Sequence, residues 1–214
     1  MARTPIHLQP PPADLKRRRL PLTSVGGEFW RVFESRFKNP LFFGRRGAGR
    51  FDAPARNFGV CYASQELEGA FLEVFVRTPL RTQADRIIDE SDLCQMAIAR
   101  FKLKSHLKMV DFTAGGASIL GVDASLFATM DCAIPQQWSA ALFRHSSKPD
   151  GILYPSRLNS SQYCLALFER SKKKIVLVNI KNLRNHDGQQ LIMPILARYE
   201  IGIQANRSIR HRKP

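Results

Sequence analysis

The sequence predicts a single α+β domain. Strand-like segments outnumber helical ones, roughly seven against two or three, and they do not alternate with helices as a parallel α/β sheet requires. No self-similarity appears at a period of about 20 to 50 residues. A chain of 214 residues suits one substantial domain, which buries roughly 70% of its unfolded surface and needs no disulfide or structural metal for its core. Its 44% apolar and 24% charged residues are those of an ordinary soluble globular protein.

Residues 1–27 read as a disordered, basic, proline-rich head, since Pro10 to Pro12 and the run Lys16 to Arg19 bury little apolar area to offset chain entropy. Ordered sequence then begins with the strand candidate Glu28 to Phe33. A loop-like stretch, Asn39 to Asn57, carries Gly44, Gly47 and Gly49 among Arg45, Arg46 and Arg50, and Phe58 to Ala63 reads as the next strand. Ser64 is placed to cap a helix running to about Arg77, with Leu67, Ala70, Phe71, Val74 and Phe75 on one buried face and Pro79 as its stop. At 100° per residue, Glu66, Glu73 and Arg77 share a stripe off that face.

Strand candidates Met96 to Leu103 and Leu107 to Phe112 come next, then a glycine-bearing stretch with short helical pieces. Pro135 to His145 is a better helix, with Trp138, Ala141, Leu142 and His145 on one side. Asp150-Gly151 marks a turn before the strands Ile152 to Ser156, Tyr163 to Phe168 and Ile175 to Ile180. The alternation of Ile195, Ala197, Tyr199, Ile201 and Ile203 suggests a closing strand, with the domain ending at 203 and a basic tail at 204–214.

The net charge of +15 is concentrated at the two ends. They either grip a polyanion electrostatically or act as solubilising tails that attract polyanions weakly. A nucleic-acid-binding module is therefore a competing class, although the interior lacks a recognition helix or an aromatic RNA-binding motif. Cys61, Cys94, Cys132 and Cys164 lie too far apart for a zinc or redox pair. With neither a signal-peptide start nor a spanning apolar run, a reduced cytoplasmic location without membrane contact is expected.

No phosphate-binding P-loop, zinc-binding HExxH or GxSxG elbow is present, and the five histidines are scattered. Neither a metal centre nor a histidine-based hydrolase is expected. The segment Gly44 to Phe51 could cradle phosphate through backbone amides and guanidinium forks, or be an exposed flexible loop. Spacing alone also lets Glu73 pair with Arg77 on its own helix.

Taken together, several segments resemble one family. They are Phe29-Trp30-Arg31-Val32, Asn39 to Gly44, Gly49-Arg50-Phe51-Asp52, Gly59 to Ala63, the Glu73 helix, Asp150 to Arg157 and Cys164 to Phe168, in that order. The sequence is similar to the RES domain over about residues 28–180. Residues 52–56 fit the family's expected Pro-Gly loop only loosely. The resemblance implies an ADP-ribosyltransferase-like domain with a mixed, mainly antiparallel sheet flanked by helices. It implies an active site of Arg31, Tyr62, Glu73 and Ser156, with Arg31, Arg50, Phe51, Tyr62 and Tyr154 contacting NAD. NAD would be the substrate, no cofactor would be needed, and a helix-turn-helix antitoxin would be the partner. The implied reaction is cleavage of the nicotinamide–ribose bond by water or phosphate, with transfer to protein as the alternative.

Overall fold

A computed structural model describes residues 8–76, 80, 82 and 84–205. Ten strands are present among them. They are β1 (Leu22–Val25), β2 (Glu28–Glu34), β3 (Val60–Ser64), β4 (Ile87–Asp89), β5 (Met96–Leu103), β6 (Leu107–Asp111), β7 (Gly151–Pro155), β8 (Tyr163–Phe168), β9 (Ile175–Asn182) and β10 (Gly202–Gln204). The helices are α1 (Leu67–Phe71), α2 (Glu90–Cys94), α3 (Gly116–Leu120), α4 (Ser125–Ala128), α5 (Ala133–Arg144) and α6 (His186–Arg198). Eight strands form one sheet in the order β1-β6-β7-β8-β3-β2-β5-β9, and β10 pairs with β4 separately. Only the β6–β7 contact in the large sheet is parallel. The α+β class, with a mainly antiparallel sheet, is as the sequence predicts.

Alternating side chains send each strand's residues to two faces, and the sheet curls so that one face becomes a shared interior. Phe29, Phe33 and Phe101 from the β2–β5 half meet Cys61, Leu165, Leu167 and Met109 from the other half there. The outer face of β6, β7, β8 and β3 is covered by α3, α4 and α5 through Leu120, Phe127, Trp138 and Leu142. Outside β2 and β5, Phe71, Leu93, Ile192, Ile195 and Leu196 from α1, α2 and α6 close a third cluster.

Four sequence expectations need correction. The described part of the head, residues 8–27, is folded onto the domain. Leu15 and Leu20 enter the α5-side core, Leu22–Val25 adds an edge strand to β6, and the Trp138 indole donates to the Gln9 carbonyl at 2.9 Å. Its leucines supply the apolar area that the charge run obscured. Second, Ser64 does not cap α1. It closes β3 and donates to the Tyr163 carbonyl, while Glu66 occupies the cap position.

Third, Ile195 and Ala197 lie in α6, not in a closing strand. Ile192, Ile195 and Leu196 are spaced for one helical face, and that packing prevails over the period-two reading. Only Gly202–Gln204 beyond is extended. Fourth, β4 and α2 occupy the polar stretch before Met96, to which the sequence reading assigns no element. Arg77, Pro79 and tail residues 206–214 lie outside the described residues, as does the expected Glu73–Arg77 pairing.

The head's packing is testable. Leu15→Ala and Leu20→Ala should each cost about 2–5 kcal/mol, the usual range for emptying a buried leucine site. Thermal denaturation monitored by circular dichroism should show both melting temperatures lowered. Unchanged melting would mean that the head does not contribute to the core.

Candidate active site

The sheet is splayed at its centre. β2 and β3 share a single register pair, Trp30 with Ser64, where β3 and β8 share five. At the other end of β3 the chain inserts a wedge, with Gly44 and Val60 exchanging both backbone hydrogen bonds at 2.9 and 3.0 Å. A hollow of about 710 Å³ opens at this seam. Arg31 and Val32 line it from β2, Tyr62 to Ser64 from β3, and Ala48 to Arg50 from the loop. Ala70, Glu73, Val74, Met130, Cys132, Tyr154, Arg157 and Cys164 complete the wall.

Glu73 comes after α1 in a wider π-helical turn, Leu72–Val76. Such turns are rare and recur at functional sites. The extra residue per turn changes where the side chain points, so the regular-helix stripe does not describe it. Its Oε1 accepts from the Ser156 hydroxyl at 2.7 Å, and the Cys164 thiol lies 4.0 Å away. Ser156 is itself buried, does not line the hollow, and accepts from the Leu158 amide at 3.3 Å. It is therefore placed to orient Glu73.

Arg31 shares a side of β2 with Phe29 and Phe33 and spans the seam. Its Nη1 donates to the Phe42 carbonyl at 3.2 Å and to the Cys61 sulfur. Arg50 donates from Nη1 to the Thr129 carbonyl. In each case the other guanidinium nitrogens have no partner among the described residues.

Tyr62 presents a ring to the hollow while its hydroxyl is occupied. That hydroxyl accepts from the Phe51 amide at 2.8 Å and donates to Asp52 Oδ1 at 3.0 Å. Asp52, buried at 6% exposure, also accepts from the Gly49 amide at 3.0 Å. A Cβ on Gly49 would lie 2.5 Å from the Tyr62 hydroxyl oxygen and 2.8 Å from Asp52 Oδ1, which explains the glycine.

The structure thus brings Arg31, Tyr62, Glu73, Arg50 and Tyr154 to one wall, with Ser156 directly behind it. Phe51 is different. Its ring is fully buried, 5.0 Å from the Tyr154 ring in an edge-on contact, and its backbone rather than its ring serves the site. Sequence reasoning misses Asp52 as the partner of Tyr62, although it stands within the Gly49-Arg50-Phe51-Asp52 motif. It also misses Gln136, whose amide donates to the Gly47 and Gly49 carbonyls at 2.9 and 3.0 Å. No local signal marks that glutamine, because its role depends on α5 packing against the loop. Among the described residues no cluster of three metal-ligating side chains occurs.

Burial decides the state of the neighbouring acids. Desolvation, with Glu73 nearby, pushes the Cys164 thiol far up, so it is a neutral and poor nucleophile. The Tyr62 phenol is raised well above its ordinary value by burial and then by the Asp52 charge. Tyr154 is raised by burial and then by Cys164 and Glu73. Below the unfolded-state value near 10 both states keep these protons, and the stability is fully present. Above it the unfolded chain releases them more readily, so stability falls as pH rises toward the raised folded values. Ultraviolet titration of phenolate should therefore show Tyr62 and Tyr154 ionising only with alkaline unfolding. Tyr62→Phe should remove one such phenol. Early ionisation of all four tyrosines in folded protein would contradict the buried geometry.

The chain is 30% identical over 92 residues to a protein of Sinorhizobium fredii (strain NBRC 101917 / NGR234) named "Probable toxin y4kH", spanning 43% of this chain and 69% of that one. Its fold is similar to a chain in the crystal structure of the M. tuberculosis MbcT–MbcA toxin–antitoxin complex. The TM-score is 0.61 at 15% identity, covering 79% of this chain and 91% of the other. The profile of the RES domain matches residues 28–189, which include Arg31, Tyr62, Glu73 and Ser156, and the chain belongs to the RES domain family.

Proposed function

We propose that this RES domain protein degrades NAD by cleaving the bond between nicotinamide and ribose, and acts as the toxin of a toxin–antitoxin pair. The observation that carries the reading is the Glu73 carboxylate held by Ser156 at 2.7 Å in the wall of a hollow that also displays Arg31 and Arg50. The volume of about 710 Å³ falls within the roughly 300–1,000 Å³ usual for small-molecule sites.

Breaking the glycosidic bond builds positive charge on the ribose, as in other oxocarbenium-like reactions. A carboxylate fixed beside that carbon stabilises the charge, and strongly so away from bulk water. Nicotinamide leaves as a neutral base, so the site needs little acid catalysis and no histidine. Arg31 and Arg50 would hold the pyrophosphate by charge-assisted hydrogen bonds through their remaining nitrogens. Tyr62, its hydroxyl held by Asp52 and Phe51, would offer its ring for stacking, with Tyr154 behind it. Ser156 would keep the Glu73 carboxylate turned toward the sugar.

The toxin assignment is supported by the name of the Sinorhizobium relative and by the complex in which the structural neighbour was crystallised. The expected partner is a cognate antitoxin that blocks the hollow.

Purified wild-type protein should deplete NAD and release nicotinamide, while Glu73→Gln should not. Ser156→Ala should slow the reaction by about 10- to 100-fold, as loss of one hydrogen bond to a charged group implies. Equal depletion by wild type and Glu73→Gln would remove Glu73 from the mechanism. Mass spectrometry of the ADP-ribose product distinguishes water, phosphate and protein as acceptors. Expression of the wild type, but not of Glu73→Gln, should arrest growth; harmless accumulation of folded wild-type protein would sink the toxin role.

A further inference from the structure

We infer that Gln136 is a positioning residue that turns the loop at Gly47 to Phe51 into an anion-accepting surface. Peptide carbonyls and amides compete for which of them faces a ligand, and an outward carbonyl would repel a phosphate oxygen. Here three alternate carbonyls are tied to α5. Gln136 donates from its one amide nitrogen to Gly47 and Gly49 at 2.9 and 3.0 Å. One turn later the Ser139 hydroxyl donates to Phe51 at 2.6 Å. Both side chains are buried, Gln136 at 9% exposure and Ser139 fully.

The alternate amides of Gly49 and Phe51 are also taken, by Asp52 Oδ2 and the Tyr62 hydroxyl. The amides of Ala48 and Arg50 have no partner among the described residues, and both residues line the hollow. Gln136 therefore withdraws the Gly47 carbonyl and, together with the Asp52 amide, the Gly49 carbonyl from competition for a ligand, beside the Ala48 and Arg50 amides and the Arg50 guanidinium. The ligand chemistry this fits is a diphosphate. Gly47 holds a positive φ of 75°, which gives the loop the reversal it needs to keep both carbonyls on the α5 side.

The kinetic part of the test rests on the NAD reading, so it is paired with measurements that do not. Gln136→Met keeps length and removes both donated bonds; Gln136→Glu replaces the donor with a charge that repels the two carbonyls. In ligand-free protein, hydrogen exchange across residues 45–51 should accelerate in both variants. Affinity for inorganic pyrophosphate, measured by calorimetry, should fall about tenfold, the equivalent of one hydrogen-bond contribution. With NAD as substrate the KM should rise by a similar factor while kcat stays within about threefold.

If wild type binds pyrophosphate but consumes no NAD, the reaction assignment fails and the positioning role survives. If Gln136→Met folds with unchanged loop exchange and unchanged pyrophosphate affinity, the positioning role is overturned. A lowered melting temperature with unchanged KM and unchanged pyrophosphate affinity would make Gln136 merely structural and overturn it equally. Should Gln136→Met fail to fold, Gln136→Glu decides by the same measurements.

Discussion

The candidate site exists because β2 and β3 part. A sheet that zipped this seam shut would carry ladder hydrogen bonds where the hollow now lies. Opening it strands backbone groups in a buried region, and each unsatisfied group costs about 1–3 kcal/mol. The chain answers with substitutes. Gly44 pairs with Val60 in place of a β2 residue, and the Arg31 guanidinium satisfies the Phe42 carbonyl. Arg31, which reaches from β2 to the Cys61 sulfur of β3, also lines the hollow, so seam repair and site chemistry meet at that residue.

Opposite charges then sit in one partly dry space without cancelling. Glu73 is bonded to the neutral Ser156, and Arg31 and Arg50 are bonded to neutral acceptors. Had the arginines paired directly with Glu73, both would be spent. The nearby acids stay protonated, since burial raises Cys164, Tyr62 and Tyr154. That leaves a lone carboxylate in one part of the wall and guanidinium groups in another. A dipolar ligand, cationic at one ring and anionic at its phosphates, matches that pattern.

The strands are legible in the sequence because their apolar runs are buried in a sheet covered on both faces, so Ile152 to Tyr154 and Cys164 to Phe168 announce themselves. The head is not legible. Composition weighs the run Lys16 to Arg19 heavily, yet Leu15, Leu20 and Val25 reach the core while the charges face outward. The C-terminal helix is disguised because Ile195, Ala197, Tyr199, Ile201 and Ile203 alternate by accident of a helix leading into a short strand. Arg31, Tyr62, Glu73 and Ser156 emerge from the order of motifs and not from their spacing. What no motif could supply is the division of labour. Ser156 is bonded to Glu73, Phe51 meets Tyr62 through its backbone amide, and Asp52 and Gln136 hold the loop.

That division depends on one local departure from regular geometry. Continued as an α-helix, α1 would set Glu73 on a stripe with Glu66 and Arg77, within reach of an ion pair worth only a few tenths of a kcal/mol. The π turn admits one more residue and rotates the residues after it by about 100°. Leu72 and Val76 fill the outer core, where the regular repeat would have placed Val74 and Phe75, which are only partly buried. Glu73 instead meets the hydroxyl at the end of β7, 83 residues away in the chain. A charge-assisted bond of this kind contributes about 1.5–3 kcal/mol, several times what an exposed helical ion pair contributes. The carboxylate's position is therefore set by a tertiary contact made at the π turn, which a periodicity calculated from sequence does not register.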